Sequence, residues 1–247
     1  MKQAMIFAAG LGTRLRPLTD TMPKALVSVA GHPLLWHVVM KLKAAGYERI
    51  VVNVHHFASQ ITDYLTANSN FGLDIRISDE REVLLDTGGG IRKALPLLDA
   101  GSPVLIHNVD ILSNLDLARI AVGAPGTDAL LVVSWRDTKR YLLFDERMAL
   151  AGWTNIETGE VKGLDSGDVS SGHYRQLAFS GIHLLQPSAY PLLRQMPERF
   201  GIIDFYLKYC HREVFAGYEQ PGLQLLDVGK PGALLQAEHF VAQTGAL

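Results

Sequence analysis

The segment at the beginning of the chain constrains the fold and the chemistry most strongly. An apolar run at residues 5–9 (Met-Ile-Phe-Ala-Ala) breaks directly into a loop that holds Gly10, Gly12 and Arg14, and Lys24 follows. Glycine lets backbone N–H groups approach an anion closely, and successive N–H groups form an anion-binding concavity. Arginine adds bidentate contacts to phosphate, and lysine adds a compact point charge. The segment therefore predicts a buried strand that presents a binding loop to a polyphosphate.

Two widespread phosphate-loop patterns do not fit this segment. The P-loop pattern G-x-x-x-x-G-K-[ST] is absent, and residues 10–15 lack the third glycine of the dinucleotide-binding fingerprint. A lone G-x-G with nearby arginines also fits an ordinary strand-to-loop turn, which is the simpler interpretation. Other parts of the chain have to show whether this segment is a phosphate-binding loop or an ordinary turn.

Strand-like and helix-like segments alternate through the first half of the chain. Strands are predicted at residues 4–9, 50–54, 73–77, 103–107 and 129–134, and helices at 33–45, 58–67, 90–98 and 115–122. This alternation predicts a Rossmann-like three-layer α/β/α fold with a mostly parallel central sheet and helices on both faces. Ligands of such sheets bind outside the carboxyl ends of the strands, where the glycine loop lies.

The pattern changes after residue 136. Residues 141–144 and 148–153 fit a hairpin, and the polar stretch 165–173 fits a mobile loop or lid. Strands follow at 176–184 and 223–226, and helices at 187–195, 203–210 and from 231 to about 242. We expect one catalytic domain over residues 1–247, with an antiparallel insertion on the substrate side at about 136–186.

Composition and charge narrow the class of protein. Hydrophobic residues make up 48% and charged residues 19% of the 247 residues, which is a globular composition. A net charge of −2 provides no basic field for nucleic acid or an anionic membrane, and no apolar run of about eighteen residues predicts a membrane span. The apolar run at 4–9 has no cleavage site after it, so it predicts a core strand and not a signal peptide. The single cysteine, Cys210, fits a reducing cytoplasm.

Two aspartates follow predicted strands. Asp110 ends the run His-Asn-Val-Asp at 107–110, and Asp227 begins Asp-Val-Gly at 227–229. Either one alone fits a helix N-cap or a turn. Two strand-end carboxylates beside a phosphate-binding loop describe a magnesium site, because Mg²⁺ prefers one or two carboxylates together with phosphate oxygens and water.

Two further glycine-containing segments stand out. The run Asp-Thr-Gly-Gly-Gly at 86–90 opens a helix although glycine costs helix stability, so either something approaches its backbone closely or the run is a flexible loop. Gly181, within Phe-Ser-Gly-Ile at 179–182, leaves room for a ligand or marks a bulge.

The string Ala-Ala-Gly-x-Gly-Thr-Arg-Leu-x-Pro-Leu-Thr at 8–19, with Pro-Lys-x-Leu at 23–26, resembles the signature of the sugar-1-phosphate nucleotidyltransferases, or nucleotide-sugar pyrophosphorylases. The resemblance extends from Met5 to about Phe240 and is strongest in the N-terminal third. It implies that a nucleotidyl group passes from an NTP to a sugar 1-phosphate with release of pyrophosphate. It also implies the nucleotide-diphospho-sugar transferase version of the fold.

The resemblance implies a role for each candidate residue. Arg14 and Lys24 would be the catalytic cations, and Asp110 and Asp227 would hold Mg²⁺. The implied nucleotide contacts are Ala9, Gly10, Gly12, Thr13, Thr87, Gly88, Gly89 and Asn108. The implied sugar contacts are Gly181, Lys162 and Asp204.

The chain departs from the family pattern at three places, one of which is Lys230, which follows Asp-Val-Gly where threonine is common. Val109 stands where relatives usually carry glycine, which indicates a turn that does not need a positive φ. The Glu-Lys-Pro triplet that many relatives carry near the sugar is missing around Lys162.

Within the family, the chain looks closest to bacterial N-acetylmuramate 1-phosphate uridylyltransferases and mannose- or heptose-1-phosphate guanylyltransferases. UTP or GTP and a sugar 1-phosphate are the expected partners, with no nucleic acid and no membrane, in a monomer or small homo-oligomer. A phosphocholine-type nucleotidyltransferase and a non-catalytic nucleotide- or sugar-phosphate-binding regulator on the same fold are the alternatives.

Overall fold

The computed structural model describes residues 1–121, 125–164, 167, 172–229 and 232–244. Its strands, in chain order, are β1 (Lys2–Phe7), β2 (Ser28–Val29), β3 (His32–Pro33), β4 (Tyr47–Val54), β5 (Asp74–Asp79), β6 (Val104–Asn108), β7 (Ile111–Ser113), β8 (Ala129–Ser134), β9 (Arg140–Phe144), β10 (Leu150–Asn155), β11 (Glu160–Lys162), β12 (Arg175–Leu185), β13 (Phe215–Tyr218) and β14 (Leu225–Asp227). Its α-helices are α1 (Leu34–Ala44), α2 (Ala58–Ala67), α3 (Asp86–Ala94), α4 (Leu117–Ala121), α5 (Tyr190–Arg194), α6 (Ile202–Tyr209) and α7 (Ala233–Thr244). Short 3₁₀ turns lie at Thr13–Leu15, Leu18–Asp20, Lys24–Leu26, Ser69–Gly72, Leu95–Leu97 and Pro187–Ala189.

A ten-stranded mixed sheet forms the middle layer, with the strand order β11-β10-β9-β12-β6-β1-β4-β5. Strands β6, β1, β4 and β5 are parallel neighbours. Strand β12 joins β6 in antiparallel orientation and continues the sheet into the antiparallel strands β9, β10 and β11. Strand β8 pairs with β12, and β13 lies parallel to β8. The glycine loop follows β1 and therefore leaves the parallel half of the sheet at its carboxyl edge.

Successive side chains of the central strands enter two separate hydrophobic cores. Ile6 and Ile50 point into the core formed with α1, α2 and α7, whereas Met5 and Val51 point into the core formed with α3, α5 and α6. All four are fully buried. Because strand side chains alternate between faces, the uninterrupted apolar runs of β1 and β4 require cover on both sides. This is the three-layer α/β/α arrangement that the sequence predicted.

The elements agree with the predicted ones except at a few places. Strands β2, β3, β7, β11 and β13 were not predicted, since runs of two to four residues carry little periodic signal. Helix α3 begins at Asp86 and includes the glycines that were expected to precede it. The predicted loop at 165–173 lies mostly outside the described residues, as do position 122 of the fourth helix and the proposed start of the last helix at 231.

Candidate active site

The loop after β1 forms one wall of a cavity of about 640 Å³ at the carboxyl ends of the parallel strands. The lining residues are Phe7, Ala8, Ala9, Gly10, Leu11, Gly12, Thr13, Arg14, Lys24, Asn53, Leu84, Asp86, Thr87, Asn108, Val109, Asp110, Gly201 and Gly229. Most of the sequence-predicted nucleotide contacts thus face one cavity, together with both predicted cations and one of the two predicted metal ligands.

The two glycines of the loop serve different purposes. Gly12 has a φ of +65°, and a Cβ there would lie 2.9 Å from Cγ2 of Thr19, whose hydroxyl donates a hydrogen bond to Gly12 O at 2.8 Å. Gly10 has no atom within 4 Å of where its Cβ would be, so its backbone borders open space in the cavity. The Asn53 side chain accepts a hydrogen bond from Ala8 N at 2.8 Å and holds the start of the loop. Gly12 therefore shapes the turn, and Gly10 leaves the backbone accessible.

Two cations and two carboxylates converge beside this loop. The Lys24 ammonium is mostly buried and forms an ion pair with Asp110. A Cβ at Gly229 would lie 2.6 Å from Oδ1 of Asp227, 2.7 Å from Nη2 of Arg14 and 2.8 Å from Nζ of Lys24. Gly229 thus marks the point at which these three side chains meet, and a side chain at this position would displace their charged ends.

A two-stranded sheet brings the distant aspartates together. Strand β14 pairs antiparallel with β7, so that Asp227 lies opposite Ile111, and Val228 N donates a hydrogen bond to Asp110 O at 2.8 Å. On the other side of β7, the Lys41 ammonium donates to Ser113 O. Burial lowers the pKa of Lys41 to about 8.

The donor chemistry of this pair fits a magnesium ion. Asp110 and Asp227 supply carboxylate oxygens, the ligands that Mg²⁺ takes together with phosphate oxygens and water. Asp227 Oδ1 accepts a hydrogen bond from Gly229 N at 2.7 Å, which fixes the direction of its carboxylate. Among the described residues, no group of three or more His, Cys, Asp or Glu side chains forms a metal cluster. A site of this kind would rely on substrate phosphates for its remaining ligands.

The start of α3 forms the wall opposite the glycine loop. Asp86 and Thr87 line the cavity, and Asp86 has a φ of +60°, an uncommon conformation for a residue other than glycine. The Asp86 carboxylate accepts a hydrogen bond from Nε of Arg199 at 2.8 Å, and the Thr87 hydroxyl accepts one from Ile202 N at 2.9 Å. The loop before α6 therefore holds this wall in position.

Gly88 and Gly89 do not line the cavity. A Cβ at Gly88 would overlap the Phe200 ring, and one at Gly89 would overlap Glu198 O. The amides of both glycines donate to Phe200 O, at 2.9 and 3.2 Å. The close approach inferred from the sequence is present, but the group that approaches is another part of the chain.

Asn108 and Gly181 meet at the seam between β6 and β12. Gly181 has a φ of +77°, and a Cβ there would overlap the side-chain amide of Asn108, which lines the cavity. Val109 does not adopt a positive φ, as its β-branched side chain predicts. Gly181 therefore borders the cavity through its contact with Asn108.

Lys162 and Asp204 line a second cavity of about 380 Å³, on the other side of this seam. Lys162 lies on β11 with its ammonium 5.2 Å from the centroid of the Trp153 ring. The Asp204 carboxylate accepts a hydrogen bond from Gly201 N at 3.3 Å, and Gly201 itself lines the first cavity. The predicted sugar contacts are thus divided between two neighbouring cavities.

Two buried histidines lie on the strands that meet at this seam. Burial lowers the pKa of His107 to about 4 and that of His183 to about 3. His107 Nδ1 is 2.8 Å from Asn108 O, whereas both ring nitrogens of His183 lack hydrogen-bond partners in the described residues. Both rings are therefore neutral at pH 7 and belong to the packing rather than to proton transfer.

Sequence reasoning missed three residues that shape the site. Gly229 was noted only as part of Asp-Val-Gly, although a glycine directly after a strand-end aspartate signals a crowded backbone. Glu80 is fully buried, accepts a hydrogen bond from the Asn53 side chain at 2.8 Å, and had no pattern to mark it. Arg136 lines the second cavity and had no motif around it.

The fold and the site define the class: an α/β protein with a glycine loop, fixed cations and paired carboxylates at the carboxyl ends of parallel strands, suited to binding a nucleotide polyphosphate. Residues 3–141 match the family model described as Nucleotidyl transferase. The chain is 37% identical over 252 residues to the N-acetylmuramate alpha-1-phosphate uridylyltransferase of Caulobacter vibrioides, with 98% of each chain covered. It is 50% identical over 115 residues to the protein of that name from Neisseria meningitidis serogroup B, covering 46% of this chain and 49% of the relative.

Among solved structures, the chain resembles HddC from Yersinia pseudotuberculosis complexed with GMP-PN, with a TM-score of 0.75 and 22% identity over 97% of this chain and 99% of that one. These matches show that the chain belongs to the nucleotidyl transferase family, which confirms the resemblance carried by its N-terminal motif. The family model ends before β12, so it covers the glycine loop, Lys24 and Asp110 but only the first part of the second cavity's lining, up to Tyr141. No helix in the described part of the chain is long and apolar enough to cross a membrane.

Proposed function

We propose that this protein transfers the uridylyl group of UTP to N-acetylmuramate α-1-phosphate, giving UDP-N-acetylmuramate and pyrophosphate with Mg²⁺ as cofactor. The observation that carries the nucleotidyl transfer is the convergence of Arg14, Lys24 and Asp227 on Gly229, beside the accessible backbone of Gly10. The choice of sugar and base is supported by the Caulobacter relative, which matches over the full length of both chains.

In the proposed reaction, an oxygen of the sugar phosphate forms a bond to the α-phosphorus of UTP. The bond from that phosphorus to the bridging oxygen breaks, and pyrophosphate leaves with the electron pair. A phosphate monoester is already anionic at neutral pH, so no general base is needed. Positioning and charge neutralisation are then the main catalytic tasks.

Each part of the first cavity has a role in this proposal. The backbone around Gly10, Gly12 and Thr13 holds the triphosphate, with Ala9 at the start of the loop. Arg14 neutralises the leaving pyrophosphate. Lys24 lies between the two reacting phosphates, and its partial burial strengthens its interaction with them.

Asp110 and Asp227 would hold Mg²⁺, which when bound neutralises phosphate charge and aligns the two phosphates. Thr87 and Asn108 line the cavity, and they would contact the nucleoside if the nucleotide enters between the glycine loop and α3. The amides of Gly88 and Gly89 already bind Phe200 O, so their contribution to the nucleotide would be to position Thr87.

The decisive test is pyrophosphate release from UTP, GTP, dTTP, CTP and ATP, each paired with the 1-phosphates of N-acetylmuramate, mannose and heptose and with phosphocholine. The proposal predicts the highest kcat/KM for UTP with N-acetylmuramate 1-phosphate, and loss of turnover when EDTA removes the metal. A higher kcat/KM for GTP with a neutral sugar 1-phosphate would show that the proposed substrates are wrong and that the proposed type of reaction is right. Turnover with phosphocholine alone would move the protein to that class, and binding without turnover of any pair would indicate a regulator.

The metal assignment has its own test. Asp110→Asn and Asp227→Asn should each lower kcat on the order of 10²-fold or more, since each removes charge that orients the reacting phosphates. The concentration of Mg²⁺ needed for half-maximal rate should rise as well. Asp63→Asn, on the exposed side of α2, is the matched control and should leave both quantities unchanged. Full activity of either variant at limiting Mg²⁺ would remove that aspartate from the metal site.

The remaining expectations concern the setting of the reaction. We propose a cytoplasmic enzyme that works as a monomer or small homo-oligomer, as UTP and a reducing environment for Cys210 suggest. Light scattering under turnover conditions gives the molar mass in solution and therefore the oligomeric state.

A further inference from the structure

The second cavity combines aromatic and cationic side chains. It lies between the antiparallel strands and α6 and is lined by Arg136, Thr138, Arg140, Tyr141, Leu142, Trp153, Lys162, Phe179, Ile203, Asp204 and Leu207. Three of these side chains are cations and one is a carboxylate, and the Asp204 carboxylate is already hydrogen-bonded to Gly201 N. The cavity therefore carries an excess of positive charge although the whole protein has a net charge of −2.

Arg136 is held in place but not satisfied. Its Nη2 donates a hydrogen bond to Phe179 O at 2.9 Å, and its own carbonyl accepts one from the Tyr141 hydroxyl at 3.2 Å. Its Nε is buried and has no hydrogen-bond partner among the described residues. Arg136 is fixed by this one bond, and the rest of its guanidinium lines the cavity, where a planar anion such as a carboxylate can bind in bidentate fashion.

The two cavities share a border. Phe179, which receives the Arg136 bond, lies two residues before Gly181 on β12, and Gly181 is packed against Asn108 of the first cavity. On the other side, Gly201 lines the first cavity and binds Asp204 of the second. A sugar whose phosphate lies beside Lys24 can therefore extend past Asn108 toward Arg136.

We propose that Arg136 recognises a carboxylate substituent on the acceptor sugar and thereby selects an acidic sugar 1-phosphate over a neutral one. This inference rests on the proposed function, because it assigns the substituent end of the same acceptor. Arg140 and Lys162 add positive charge at the rim of the cavity, and Trp153 and Tyr141 offer apolar surface to the sugar. The phosphate group of the acceptor is the other source of anionic charge, and the experiment separates the two.

The test compares two acceptors that differ by one group, N-acetylmuramate 1-phosphate and N-acetylglucosamine 1-phosphate, which lacks the lactyl carboxylate. Arg136→Gln should lower kcat/KM for the acidic acceptor about 10- to 100-fold, mainly through KM, because one charge-assisted contact is lost. The value for the neutral acceptor should change less than about threefold. Arg136→Lys should restore part of the preference, since the charge returns without the bidentate geometry.

Controls and second variants keep the outcome interpretable. Arg147→Gln, on the exposed turn between β9 and β10, removes the same charge away from the cavity and should leave both acceptors unaffected. Arg140→Gln and Lys162→Gln leave the bond to Phe179 intact, so they test the charge of the cavity even if Arg136 variants unfold. Each should lower the preference for the acidic acceptor severalfold.

Two results would overturn the inference. An equal loss for both acceptors would mean that Arg136 acts on the phosphate or on the structure, and no loss for either would mean that the cavity takes no substituent. Failure of the proposed function looks different, because the unmodified protein would then turn over neither acceptor with any nucleotide. In that case, the thermal shift induced by each sugar 1-phosphate still reports whether Arg136 distinguishes them.

Discussion

The protein contains two glycine-rich segments that look alike in sequence and serve opposite purposes. The first, at residues 10–12, lies against the core formed with α1 and α2, and Gly10 borders open space. The second, at residues 88–90, lies against the core formed with α3 and α6, and all three of its glycines are buried. In the first segment the missing side chain leaves room for a ligand, and in the second it leaves room for the protein itself.

The difference follows from what approaches each backbone. Phe200, Glu198 O and the Glu80 carboxylate occupy the space beside Gly88, Gly89 and Gly90, respectively. The contacts of Gly88 and Gly89 join α3 to the loop before α6 and so position the second wall of the cavity, whereas the contact of Gly90 joins α3 to the residue that follows β5. In the proposed function, the first segment would contact the nucleotide directly, and the second would act through the position of the wall.

The largest effect should come from the cation that accompanies the first segment. Lys24→Met should lower kcat on the order of 10²- to 10³-fold, because the ammonium stabilises charge between the two phosphates. Lys93→Met, on the exposed side of α3 just after the second segment, is the matched control and should leave steady-state kinetics unchanged. Equal losses in the two variants would mean that the segments do not differ in the proposed way.

A large effect of another kind should come from the second segment. Gly88→Ala should lower the free energy of unfolding by about 1–3 kcal/mol, because its Cβ would overlap the Phe200 ring. Denaturant unfolding measures this loss. Phe200→Leu in the same chain should recover part of it, since the smaller side chain vacates the space. If Gly88→Ala unfolds like the unmodified protein but no longer binds UTP, the second segment belongs to the nucleotide site after all.

Each of the two cores that support these segments contains a buried histidine, so the free energy of unfolding should depend on pH through both cores. His107 lies on the side of Lys41 and α1, whereas His183 packs edge-on against Tyr206 of α6. Both have a folded-state pKa below the ordinary 6.5, so the unfolded chain binds more protons and stability falls as pH drops from 6.5 toward 4. The loss between pH 6.5 and 5.5 should be about 1 kcal/mol per histidine.

Single substitutions show how much of this loss of stability comes from each histidine. His183→Leu removes two ring nitrogens that lack partners in the described residues and should flatten the dependence of the unfolding free energy down to about pH 3, the pKa of its buried ring. His107→Leu should flatten it only above about pH 4. Unchanged slopes in both variants would place the acid sensitivity elsewhere.

The sequence predicted the local part of this picture better than the distant part. Gly10, Gly12 and Lys24 lie within one short stretch, so a single motif describes them. The alternation of apolar runs likewise predicted the α/β layers, because strand length and helical spacing are local properties. Asp110 and Asp227 could be paired as candidates since both follow strands, although no pattern predicted that β7 and β14 would hold them side by side.

The sequence could not predict which distant residue packs against each buried glycine. Gly88 meets Phe200 across more than a hundred positions, and nothing near either residue encodes that contact. The same holds for Arg136, whose proposed role depends on its bond to the distant Phe179 O. Helix propensity shows that glycine is unfavourable in a helix, but only the packing around α3 explains why its glycines are tolerated.

The smallest effect should come from Gly10, and it tests the comparison most directly. Gly10→Ala should leave the free energy of unfolding within about 0.5 kcal/mol, because its Cβ would meet no atom and its φ is not positive. The KM for UTP should nevertheless rise severalfold, since the added methyl group occupies the space through which phosphate reaches the backbone. Gly101→Ala, in the loop before β6, is the control, because its φ is not positive and its Cβ would meet only Asp99 Oδ1 at 3.8 Å. If Gly10→Ala changes stability but not the KM for UTP, the first segment is a structural turn like any other, and the cavity binds its nucleotide through the opposite wall.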